Sequence, residues 1–254
     1  MTFIVVTILI SCLSAMAVHG RRGAWPPGLP TARPRLVAVG GTYEGSHGQP
    51  SDAYVIQERL IATADGAGGR DLGQAAAALA LGAVVAARPQ HTVRREADMD
   101  GCAQAAHRAV RTAAASTPAM SGLVSTLDLI ILEPGERPCL RFAHVGDGAI
   151  WHCPKGAKPR PLTTAHTFDD GTSLRGIGLA SALDPHIGTV PLRAGDRVVI
   201  VTDGVTRAIG VPRLTELLTD GSSPAVCLDR LYDEMAAVEP KEDATVVIAD
   251  FVTV

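Results

Sequence analysis

The sequence predicts an α+β protein in which antiparallel sheets carry helices on their outer faces. Two observations lead there. Strand-like and helix-like segments come in blocks: strands, two helices, a run of strands, further helices and a last strand. A doubly wound parallel sheet would instead alternate the two types throughout. Glycine (26) and proline (17) are frequent while aromatics make up 4%, which suits many short strands and turns around a core of Val, Ile, Leu and Ala. With 254 residues and 46% hydrophobic content, one domain of ordinary size can bury a full core.

Residues 1–20 form a hydrophobic N-terminal segment, and its apolar run Phe3–Val18 is shorter than the roughly 20 residues of a spanning helix. Ala15-Met16-Ala17 has the small residues of a cleavage site, yet no Lys or Arg precedes the run, as a secretory signal requires. Arg21 and Arg22 follow it and favour a cytoplasmic C-terminal side. The reading adopted is a cytoplasmic catalytic domain, soluble or weakly membrane-anchored by residues 3–18. A translation start at Met16 is an alternative, and secretion ranks last. Residues 21–34 are rich in Pro and Gly and read as a linker, and the domain proper occupies 35–254.

Leu36–Val39, Ala53–Gln57 and Leu60–Ala64 read as strands, the last two joined by a tight turn at Glu58-Arg59. Leu72–Ala87 is alanine-rich and helical; Met99–Ala115 is a second helix. Leu123–Leu132, Leu140–Val145 and Ala149–Cys153 are strands, followed by Ile187–Leu192, Arg197–Thr202 and Thr245–Val252. Helical stretches fall near Arg213–Leu218 and Ala225–Ala237, the second stopped by Pro240. The five cysteines have no metal-ligand spacing and read as reduced thiols. A net charge of −3 with no long basic run gives no electrostatic footprint for nucleic acid.

Asp65-Gly66, Asp147-Gly148 and Asp203-Gly204 repeat one pattern, in which a strand ends on a carboxylate followed by glycine; Asp243 sits just before the last strand. A single Asp-Gly step is an ordinary turn. Several at strand ends can be gathered by loops into one site, where glycine allows close backbone approach and offers a carbonyl oxygen. Oxygen ligands without Cys or His select a hard cation, Mg²⁺ or Mn²⁺. Two such ions about 4 Å apart activate a bridging water and offset phosphoryl charge.

In this order the motifs resemble those of the PP2C (PPM) family of metal-dependent protein phosphatases of bacterial type. The resemblance runs from about Gly45 to Phe251. Ser51-Asp52-Ala53-Tyr54 resembles the early acidic motif and Asp65-Gly66-Ala67-Gly68-Gly69 the Asp-Gly-x-Gly-Gly motif. Ser125-Thr126-Leu127 is a weakened Gly-Thr-Thr, and Gly146-Asp147-Gly148 resembles Gly-Asp-Ser. Leu162-Thr163 with His166-Thr167, then Gly195-Asp196 and Thr202-Asp203-Gly204, follow, and Asp243-Ala244-Thr245 stands in the place of Asp-Asn-x-Thr.

The resemblance implies a four-layer α-β-β-α sandwich and hydrolysis of phosphoserine and phosphothreonine in proteins by a water held between two Mn²⁺ or Mg²⁺ ions. It also implies roles: Asp65 bridging the ions, Gly66 lending a carbonyl, Asp203 and Asp243 holding the second ion, and Asp147 serving a third, weaker one. Asp52 would orient the water, which attacks without a phosphoenzyme intermediate. Phosphorylated proteins and a cognate Ser/Thr kinase are the implied partners. His47 stands where the family often has an arginine that grips the substrate phosphate, and it is carried as a candidate phosphate contact. Ala67 replaces a histidine used by some eukaryotic members, and Ala244 replaces the Asn of the last motif. These departures keep two alternatives in view: a degenerate member acting as a binding or regulatory module, and a phosphatase of small molecules. His144 reads as a packed, hydrogen-bonded histidine, His166 as a loop anchor and Trp151 as core.

Overall fold

The computed structural model of the chain describes residues 33–46, 50–68, 72–89, 95–166, 175–179 and 182–253. The expectations for residues 1–32 and for His47 lie outside these. Among the described residues the strands are β1 (Pro34–Tyr43), β2 (Asp52–Ile56), β3 (Leu60–Ala67), β4 (Val124–Ser125), β5 (Leu127–Glu133), β6 (Cys139–Val145), β7 (Ala149–Cys153), β8 (Arg160–Pro161), β9 (His186–Pro191), β10 (Arg197–Val201) and β11 (Ala244–Thr253). The helices are α1 (Leu72–Ala87), α2 (Arg95–Ser116), α3 (Asp203–Thr219) and α4 (Pro224–Val238), with one 3₁₀ turn at Pro118–Met120.

The strands form two antiparallel sheets. One runs β1-β11-β10-β7-β8, the other β2-β3-β5-β6-β9 with β4 added beside β3. Period-2 alternation sends each strand's residues to two different cores. Ile61, Ile130, Leu132, Leu140 and Phe142 from the second sheet meet Ile150, Val198, Ile200, Val247 and Phe251 from the first. Their neighbours Leu60, Ala62, Leu129 and Ile131 face the other way, onto α1 and α2 through Ala76, Ala80, Val84, Met99, Ala103 and Val110. On the opposite flank Trp151, Val199, Val201 and Ile248 pack on Leu214, Leu217, Leu231 and Met235 of α3 and α4. The α+β expectation of two antiparallel sheets flanked by helices therefore holds, with the four-layer order helix–sheet–sheet–helix.

Three local expectations are corrected. The single strand Leu123–Leu132 breaks at Thr126, whose N–H donates to the Asp65 carbonyl (2.7 Å) while its Oγ1 accepts from Asp65 N–H (2.9 Å). A side-chain oxygen replaces a ladder bond there, so the two pieces are β4 and β5. The strand expected to stop at Ala64 continues through Asp65 to Ala67, because Gly66 and Ala67 pair with Ser125 and Val124. The helix expected near Arg213 starts ten residues earlier, at Asp203. Gly210 (φ 76°) kinks it and Pro212 follows the kink, a pair that reads in sequence as a loop.

Candidate metal centre

Five carboxylates converge at one end of the sandwich. Asp52 and Asp65 are directly opposite one another on β2 and β3. Asp147 occupies the turn between β6 and β7, Asp203 opens α3, and Asp243 immediately precedes β11. The loop before β2 ties two of these segments together. Asp243 Oδ1 accepts from Gly45 N–H (2.9 Å), and its Oδ2 accepts from Ser51 N–H (2.8 Å). The Ser51 carbonyl in turn accepts from Gly66 N–H at 3.0 Å. Thr202 Oγ1 donates to Asp52 Oδ2 (2.8 Å) and accepts from Thr245 N–H (2.9 Å), so β10 and β11 fix the Asp52 side chain.

Glycine serves close approach here. A Cβ on Gly204 would collide with the Asp243 carbonyl, and one on Gly73 would stand 2.5 Å from the Gly66 oxygen. The first turns of α3 and α1 can reach the site only because both positions lack side chains. Gly73 also lets α1 pack directly against the Gly66 carbonyl.

The charges oppose one another. Burial pushes Asp65 up to about 8, helped by the carboxylates of Asp52 and Asp147. Burial likewise lifts Asp52 to about 6, against hydrogen bonds from Thr245 and Thr202. Asp203 rises to about 7 through burial and the charge of Asp147, with Arg207 pulling the other way. Carboxylates crowded and buried in this way repel one another, and a nearby cation would favour their charged forms. Among the described residues no three His, Cys, Asp or Glu groups close on a single ligand point. Arg207, one turn along α3, lies across the acidic rim: its Nη2 is 2.6 Å from Asp203 Oδ2 and 4.0 Å from Asp147 Oδ2, and its Nη1 pairs with Glu242.

Behind the Asp147 turn, His144 is fully buried, with Nδ1 2.7 Å from Asp128 Oδ1 and Nε2 3.1 Å from the Thr164 carbonyl. Burial alone would lower its pKa, yet the Asp128 carboxylate raises it above the ordinary value. His166 is driven down to about 4 by burial and by the His144 charge, and its neutral Nδ1 accepts from Gly146 N–H (3.3 Å). Both histidines thus brace the turn, and Trp151 is core, as read from the sequence.

A family model for protein phosphatase 2C matches residues 44–247. The chain belongs to the protein phosphatase 2C family. Among solved structures, the Mycobacterium tuberculosis serine/threonine phosphatase PstP/Ppp is 22% identical; the match covers 85% of this chain and 98% of that one, with a TM-score of 0.76. The catalytic domain of PstP in complex with two manganese ions is 23% identical, with 87% and 100% covered and a TM-score of 0.78. A serine/threonine phosphatase from Staphylococcus aureus is 16% identical, with 85% and 94% covered and a TM-score of 0.74. No curated protein sequence matches the chain. Asp52, Asp65, Asp147, Asp203, Asp243 and Gly66 lie at the same end of the sandwich. Thr126 and Thr202 were read in sequence as members of motifs without a role of their own, and Arg207 was not singled out. Arg207 had one available signal, its four-residue spacing from Asp203, which the late helix start concealed.

Proposed function

We propose that this protein is a Mn²⁺- or Mg²⁺-dependent phosphatase of phosphoserine and phosphothreonine in proteins. The observation that carries the proposal is the convergence of five Asp side chains, three of them with pKa values lifted by burial and mutual repulsion. Membership of the family supports it, as does the PstP catalytic domain, which is described with two manganese ions. The donor set is oxygen only, carboxylates without Cys or His, which fits hard divalent cations.

Asp65, Gly66, Asp203 and Asp243 would hold two ions, with Asp65 between them. When bound, such a pair supplies an activated water and offsets the charge of the phosphoryl group. The chain's own part is orientation. Thr202 fixes one oxygen of Asp52 and leaves the other for the water. The Gly45 and Ser51 amides hold Asp243, and Thr126 holds the backbone of Asp65. His47 would contact the substrate phosphate.

The catalytic domain is residues 35–254. Residues 21–34 would link it to an apolar segment, 1–20, that associates weakly with a membrane on the cytoplasmic side. A Ser/Thr kinase would supply the substrates. Among the described residues no helix is long and apolar enough to cross a membrane.

The test is hydrolysis of a phosphothreonine peptide and of p-nitrophenyl phosphate after chelation and after re-addition of metal. Activity should vanish with chelator and return with Mn²⁺ more fully than with Ca²⁺, which is too large and too weak a Lewis acid. Turnover that survives exhaustive chelation would refute the proposal.

A further inference from the structure

Three carboxylates, Asp147, Asp203 and Glu242, face one another at the rim of the site, and the group between them is a guanidinium. Arg207 Nη2 is 2.6 Å from Asp203 and 4.0 Å from Asp147, while Nη1 pairs with Glu242. The contact follows from the fold. Asp203 begins α3, so the residue four positions on projects from the same helix face one turn later. The planar fork of arginine suits bridging between carboxylates, and it never loses its charge.

We infer that Arg207 takes, as a tethered cation, the place that a third divalent ion would occupy between Asp147 and Asp203, so that this protein binds two metal ions and not three. The inference rests on the two-metal reading above. The sequence resemblance had given Asp147 to a third, weaker ion. Here an ion at that point would have to break the Arg207 bridges and then sit beside the displaced guanidinium. Asp203 would meet the second ion through Oδ1 and keep Oδ2 on Arg207, whereas a third ion needs the faces of Asp203 and Asp147 that the guanidinium already holds, and would meet its positive charge a few ångströms away. Arg207 can neutralise Asp147 and Asp203 but cannot act as a Lewis acid. The third position is therefore electrostatically filled and chemically silent. Its side chain is 53% exposed, so substitutions there need not disturb the core.

The experiment is metal stoichiometry of the full-length protein, by titration calorimetry with MnCl₂ and by native mass spectrometry, alongside thermal melts that confirm folding. The wild type should bind two Mn²⁺ per chain up to millimolar free metal. Arg207→Gln should bind a third, at least about tenfold more tightly than any third site in the wild type. Arg207→Lys, which keeps the charge, should stay at two. A third ion on the wild type, or a count of two in folded Arg207→Gln, would overturn the inference while leaving the phosphatase reading intact. A wild type that binds no Mn²⁺ would bring down both.

Discussion

Replacing Asp65 with asparagine should make the metal-free protein more stable while destroying its activity. The carboxyl rises from 3.8 to about 8 on folding, chiefly through burial and the neighbouring Asp52 and Asp147 charges. The folded chain therefore holds this proton more tightly than the unfolded one. Stability from this group is fully present below about pH 4 and is lost as pH climbs towards 8. The interval is about four pK units, a ceiling of about 5–6 kcal/mol at pH 8. Asp65 is only partly buried and its neighbours relax when it changes, so about 2–3 kcal/mol of gain is expected of the neutral amide. For a domain of this size that is about 4–12 °C in Tm. The assay is a thermal melt of wild type and Asp65→Asn in chelator at pH 5 and pH 8. The gain should be small at pH 5 and full at pH 8. In saturating Mn²⁺ the order should reverse, because the ions stabilise only the protein that can bind them. A variant no more stable than wild type at pH 8 in chelator would refute the claim that Asp65 sits under like-charge stress.

Asp203→Asn should lower kcat by several orders of magnitude, and combining it with Asp65→Asn should cost little more, because both disable one unit; additive losses in single-turnover assays would contradict this. Asp128→Asn removes the partner of a fully buried His144 and should cost about 3 kcal/mol below pH 6.5, where the imidazolium is present in both states. That cost should shrink as pH rises through the raised His144 pKa, and urea melts at pH 6 and pH 9 that give equal losses would exclude a charged pair. His47→Arg should lower KM and flatten its rise between about pH 6 and 8; superimposable KM–pH curves would mean that residue 47 does not touch phosphate.

Much of this architecture is local and could be read from the chain. The Val- and Ile-rich runs of β10 and β11 alternate between two cores, so their type and order follow from period-2 patterning. The alanine run of α1 has helix propensity and a small-residue face that suits burial. Asp65, Asp147 and Asp203 were recognisable because each is followed by glycine close to the end of a strand pattern, a signal carried within a few residues.

The sequence by itself determined which carboxylates exist, in what order, and that strands in blocks build antiparallel sheets. Only the tertiary structure decided how they are held. Thr202 reaches Asp52 across 150 positions and Ser51 reaches Asp243 across 192. No periodicity encodes bonds of that span, since they depend on which strands become neighbours in the finished sheets. The same holds for Arg207: its link to Asp203 is one helical turn, but its meeting with Asp147 and Glu242 requires α3 to start at the end of β10 beside the turn after β6. Gly210 and Pro212 conceal that start in the sequence: Gly210 does interrupt the helix, and packing of Val205, Leu214 and Leu217 on the first sheet holds the segments on either side of the kink in place.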